Sequence, residues 1–63
     1  MPRTNLKVRL TDRDRNAFSA LVRVAQTLRL AGHVDLARQF QEEAIRGDYG
    51  HVLQTAREYV VVE

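Results

Sequence analysis

The sequence contains no cysteine, which closes the disulfide route by which many small domains reinforce a thin core. It has no long hydrophobic run. No stretch approaches the roughly 18 consecutive apolar residues of a membrane span, and Met1 to Leu10 lacks the apolar core of a secretory signal. A cytoplasmic protein is the expectation. Histidine is restricted to His33 and His51 and serine to Ser19, so the residue types that most often carry hydrolytic or metal chemistry are scarce. At 63 residues the chain is read as one domain, 1–63. A chain of this size buries roughly 60% of its unfolded surface and is only marginally stable alone. Self-association is the remaining way to supplement its core, and a homodimer is expected.

What is present is an ordinary globular composition, 44% hydrophobic and 29% charged, with a charge division that the net value of +2 conceals. Residues 1–31 hold seven basic side chains, Arg3, Lys7, Arg9, Arg13, Arg15, Arg23 and Arg29, against two acids, Asp12 and Asp14, a net of +5. Residues 32–63 hold Arg38, Arg46 and Arg57 against six acids, a net of −3. A basic half joined to an acidic half suits an anionic partner or a charged contact between copies of the chain.

Asn5 to Leu10 alternates, with Leu6, Val8 and Leu10 on one side and Lys7 and Arg9 on the other, the period-2 pattern of a half-buried strand. Thr11 or Asp12 can cap a first helix over about 12–31. Its apolar face, Ala17, Phe18, Leu21, Val22, Val24, Ala25, Leu28 and Ala31, covers about half the circumference. The opposite face, Arg15, Ser19, Arg23, Gln26 and Arg29, contains no acid. Asn16 can hold the start of the helix through a side-chain to backbone bond. Gly32 suits the left-handed position that closes a helix, and Asp35 is available to begin the next.

A second helix over about 35–46 gathers Leu36, Ala37, Phe40 and Ala44 on one side, with Ile45 off that face and Asp35, Glu42 and Glu43 exposed. Glu42 can pair with Arg46 four residues on. Gly47 ends it, and Asp48 caps a short third helix in which Val52, Leu53, Ala56, Tyr59 and Val60 share a face. The run Tyr59, Val60, Val61, Val62 favours a closing strand. The expected fold is mainly α: a small α+β domain, β-α-α-α-β, with the terminal strands paired as a two-stranded ribbon packed on a helical hairpin.

The strand followed by Asn16-Ala17-Phe18, Ala31-Gly32 between helices, Gly47-Asp48-Tyr49 and the closing Val60-Val61-Val62 together give the chain a likeness over nearly its full length. It resembles a loosely defined set of short, uncharacterised proteins of bacterial genomes, phages and prophages. The resemblance implies a compact cytosolic protein carried by mobile elements, and it implies no activity.

His33 with Asp35 and His51 with Asp48 could be drawn as a metal site, but no i, i+4 histidine pair or closed ligand spacing supports one, and turn histidines are the better account. Ser19 lacks a nucleophile-elbow context. Sixty-three residues offer little volume for convergent titratable groups, so neither enzymatic activity nor a cofactor is expected. A strand bearing Lys7 and Arg9 followed by two helices invites comparison with ribbon-helix-helix regulators, in which strand residues read base edges. Three features weigh against that reading: a first helix about a turn too long, Asp35 where phosphate would dock, and a closing valine run without a role. The expected function is a non-enzymatic protein-interaction module, a phage or prophage accessory protein acting on a host factor if the resemblance holds. The alternative is a small nucleic-acid-binding regulator. In either case Lys7, Arg9, Arg15, Arg23 and Arg29 are the candidate partner-binding residues, with another protein favoured over nucleic acid and no membrane involved.

Overall fold

The computed structural model describes residues 2–11 and 15–63. Five elements follow in order: β1 (Lys7–Val8), α1 (Ala17–Leu30), α2 (Val34–Ala44), α3 (Tyr49–Ala56) and β2 (Val61–Val62). The order is the β-α-α-α-β expected. The strands pair in parallel, Lys7 beside Val61 and Val8 beside Val62, because three helices between them reverse the chain an even number of times and return it in its starting direction. Val61 N–H donates to Leu6 O and Glu63 N–H to Val8 O, both at 2.8 Å. Upstream, Thr4 extends the attachment: its N–H and its hydroxyl both donate to Tyr59 O, at 3.1 and 2.7 Å.

α1 starts later than its apolar pattern suggests. Asn16, in extended conformation, is its N-cap, and the side-chain oxygen accepts from Ser19 N–H at 2.8 Å, satisfying one of the donors that a helix start leaves unpaired. Thr11 therefore is not the cap, and Asp12 lies outside the described residues. Arg15 consequently precedes the helix rather than belonging to its basic face. At the other end Gly32 takes φ +90°, the left-handed region open to a residue without Cβ. His33 N–H reaches Leu28 O and Gly32 N–H reaches Arg29 O, at 2.8 and 3.0 Å, the paired closure of a Schellman turn. α2 begins one residue before the expected start, capped at His33 without a side-chain bond; Asp35 sits in its first turn, where the carboxylate meets the positive end of the dipole. The helix stops at Ala44, so the register that would pair Glu42 with Arg46 stops with it. Asp48 caps α3 as expected, accepting from His51 N–H at 3.0 Å.

The core is assembled from all five elements. Tyr59, Phe40, Leu28, Val24, Val52 and Val60 are its largest fully buried side chains. Phe40 and Tyr59 meet edge to face, ring centroids 5.7 Å apart, the arrangement that aligns ring edge with ring face. Alanines 20, 25, 37, 44 and 56 are completely buried and let the three helices approach closely. Val8 is the buried member of the alternating strand, with Leu6 and Leu10 packed partly against the core. The predicted face of α1 is too wide. Leu21, Val24, Ala25 and Leu28 enter the core with Ala20, whereas Phe18, Val22 and Ala31 are exposed. Among the described residues no helix is long and apolar enough to cross a membrane.

Candidate interaction surface

Of the six large apolar side chains exposed among the described residues, Leu30, Val34 and Val61 stand apart and the other three gather in one place. Phe18 and Ile45 are each 75% exposed and Val22 38%, and all three line one groove between the start of α1 and the end of α2. Its volume is about 370 Å³, and Ala17, Leu21, Gln41, Ala44, Gly47 and Val52 complete the lining. Sequence spacing explains the placement. Phe18, Val22 and Arg29 fall within about 40° of arc on α1, and Val34, Arg38, Gln41 and Ile45 within about 60° on α2. Each helix thus carries a second stripe beside the one it buries. Ala44 and Gly47 keep the groove open by placing no bulk in its floor.

A cation stands at this groove. Arg29 Nη2 donates to Gln41 Oε1 at 2.6 Å, bridging α1 to α2 at a residue of the groove wall. Among the described residues the lining carries no charged side chain, and α1 contains no acid along its length.

On the other side of α2 lies a polar hollow of about 330 Å³ lined by Glu43, Arg46, His51, Gln54, Thr55 and Glu58. His51 is not an idle turn residue. Its Nε2 lies 2.8 Å from Glu43 O, a pairing with a carbonyl that requires the ring nitrogen to donate and that satisfies a carbonyl in the last turn of α2. Thr55 spends its hydroxyl proton on His51 O at 2.8 Å, within its own helix. The hollow's histidine and hydroxyl are therefore both engaged with backbone, an arrangement without a base-activated nucleophile. Among the described residues no group of three or more His, Asp or Glu could hold a metal ion, and His33 is exposed at the α1–α2 turn.

Tyr59 borders this region from inside the core. Its ring is capped by the Arg3 guanidinium, 4.8 Å from the centroid, and Arg3 Nη1 donates to Gln39 Oε1 at 2.7 Å. Its hydroxyl is buried and, among the described residues, forms no hydrogen bond of good geometry, with the Glu43 carboxylate close enough to act on it. Burial first, then the nearby negative charge of Glu43, raises its pKa above the usual tyrosine value, with Arg3 opposing. Removing an unpaired buried hydroxyl while keeping the ring removes a desolvation cost. Tyr59→Phe is accordingly expected to leave stability unchanged or raise it by up to about 1 kcal/mol. A folded pKa above the unfolded one means that the native state holds the proton longer. Stability from this group is full below the unfolded pKa, near 10, and falls as pH rises through it toward the folded value. Urea titrations at pH 7 and pH 10.5 check both points: the variant should lose less stability between them than the parent.

The basic residues singled out from sequence do not gather in one place. Lys7 and Arg9 are exposed on and just after β1, Arg15 is exposed ahead of α1, and Arg23 and Arg29 are exposed on α1. Six residues put those last two about 120° apart. Of these, Arg29 reaches the edge of the groove through its bond to Gln41. In the sequence Phe18, Val22 and Ile45 read as apolar positions of the core or its edge; the signal that they do something else is the excess width of the α1 face. Compared with known protein families, with curated proteins and with solved structures, the chain matches none.

Proposed function

We propose that this chain is a non-enzymatic protein-interaction module that works as a homodimer, in the cytoplasmic setting expected from its sequence. The observation that carries the reading is the pair of 75% exposed anchors, Phe18 and Ile45, flanking an apolar groove. Burying one such side chain contributes about 1.5–3 kcal/mol, and in the isolated chain that free energy is unused. Small size supports the dimer part, as does a two-stranded ribbon whose outer edges keep unpaired backbone groups. An accessory role toward a host factor rests on the resemblance to phage and prophage proteins and belongs to the same proposal.

Light scattering at high micromolar concentration tests the dimer: a mass near twice 7.3 kDa supports it, and 7.3 kDa throughout removes it. Immobilised chain should retain a defined host protein, and Phe18→Ser with Ile45→Ser should abolish that retention while the helical circular dichroism is kept. Retention indifferent to both changes would remove the groove from the reading. Exposure of Lys7 and Arg9 on the ribbon favours nucleic acid as the second reading. It requires retardation of DNA at low salt that weakens steeply as salt rises.

A further inference from the structure

Building on the interaction-module reading, we infer that the groove takes an acidic amphipathic helix of another protein rather than a second copy of this chain. Two observations select that occupant. The groove is short and apolar, of a size for the two or three anchor side chains that a helix presents at i, i+3/i+4 and i+7.

Charge then distinguishes the partners. Arg29 is held at the groove wall with a neutral amide, Gln41, as its hydrogen-bond acceptor. Arg38 belongs to the same α2 stripe as Gln41 and Ile45, while Asp35 and Glu42 lie further round toward solvent and Glu43 faces the polar hollow. A second copy docking through the same face brings a lining that, among the described residues, holds no carboxylate to meet Arg29 or Arg38, so self-docking leaves both cations without an opposite charge. A helix with an apolar stripe and flanking carboxylates meets the same surface with opposite charge. Gln41 shares its acceptor oxygen with Arg29, leaving further guanidinium donors for a carboxylate.

The test uses the full chain and two fluorescein-labelled 16-residue helical peptides with the same Leu/Phe stripe, one flanked by Glu and one by Lys, read by fluorescence anisotropy at 50 mM salt. The Glu peptide is expected to bind at least tenfold more tightly than the Lys peptide. Phe18→Ser or Ile45→Ser should weaken it tenfold or more, and Arg29→Glu with Arg38→Glu should reverse the order of the peptides. Equal affinity for both peptides, or none for either, overturns the inference. So does a light-scattering dimer of the parent chain that Ile45→Ser converts to monomer, because the groove would then belong to the second copy; the interaction-module reading survives that outcome. A chain that is monomeric and binds neither peptide nor any host protein sinks both.

Discussion

Phe40→Ala is expected to cost about 3–5 kcal/mol and to leave the chain largely unfolded at 25 °C. Phe40 is completely buried and is one of the two largest side chains in the core. It comes from α2 and packs edge-on against Tyr59, which follows α3 and whose carbonyl accepts from Thr4 at the start of the chain. One ring therefore ties the helical hairpin to both ends of the sequence. Domains have roughly 0.05–0.15 kcal/mol of stability per residue, or about 3–9 kcal/mol for 63 residues, so the loss is comparable with the whole. Urea denaturation followed by circular dichroism gives the value. Phe40→Leu, which fills most of the volume, should retain a cooperative transition; a Phe40→Ala variant with the parent's midpoint would mean that the core is not built around this ring.

The second large effect concerns a glycine whose need has nothing to do with its own backbone freedom. A Cβ at Gly47 would stand 2.5 Å from the Cβ and Cγ of His51, well inside van der Waals contact. His51 cannot retreat without surrendering the bond from Nε2 to Glu43 O. Gly47→Ala is expected to cost about 1–3 kcal/mol as overpacking. Truncating His51 to alanine alone loses the bond to Glu43 O and the packing over Gly47. The double variant should be more stable than the sum of the two single losses predicts by the share of the clash that the ring atoms make, while the contact with the Cβ that alanine keeps at position 51 remains. A double-mutant cycle measured by denaturation reads this coupling directly. Strict additivity would show that the two residues do not meet.

Much of the architecture was legible because local chemistry and global fold agree in this chain. Val8 alternates between Lys7 and Arg9, Asn16 and Asp48 each precede a helix they cap, and Gly32 supplies the one left-handed turn among the described residues. Those are decisions made within a few residues. The parallel sense of the ribbon follows from counting three helices, yet the ladder spans only two residue pairs, short of the strands that the Leu6–Leu10 alternation and the Tyr59–Val62 run suggest. Tyr59 and Val60 are used as core instead, held by hydrogen bonds to Ala56 O at 2.9 Å, because the end of α3 turns them inward before the strand begins.

The surface was harder to read. Hydrophobic periodicity reports which residues are apolar, and it cannot separate a face that packs inside the chain from one that waits for a partner. Phe18 and Val22 continue the apolar arc of α1 without a break, so they read as core. Only the finite reach of α2, which ends at Ala44, leaves them uncovered. His51 was likewise placed at a turn by its neighbourhood, when its partner is a carbonyl eight residues earlier that no local pattern indicates. The basic residues were legible as charge but not as a patch, because their grouping depends on helix phase and on the Arg29–Gln41 bridge.

The most direct measurement of the central claim is a titration of the ¹⁵N-labelled full chain with the Glu-flanked helical peptide, followed by amide chemical shifts. The changes are expected to concentrate at Ala17–Val22 and at Gln41–Gly47, the two walls of the groove, with Lys7, Arg9 and the far wall of the polar hollow, Gln54 and Glu58, unmoved. Shifts confined to the ribbon or spread along the basic residues, with the groove silent, would contradict it.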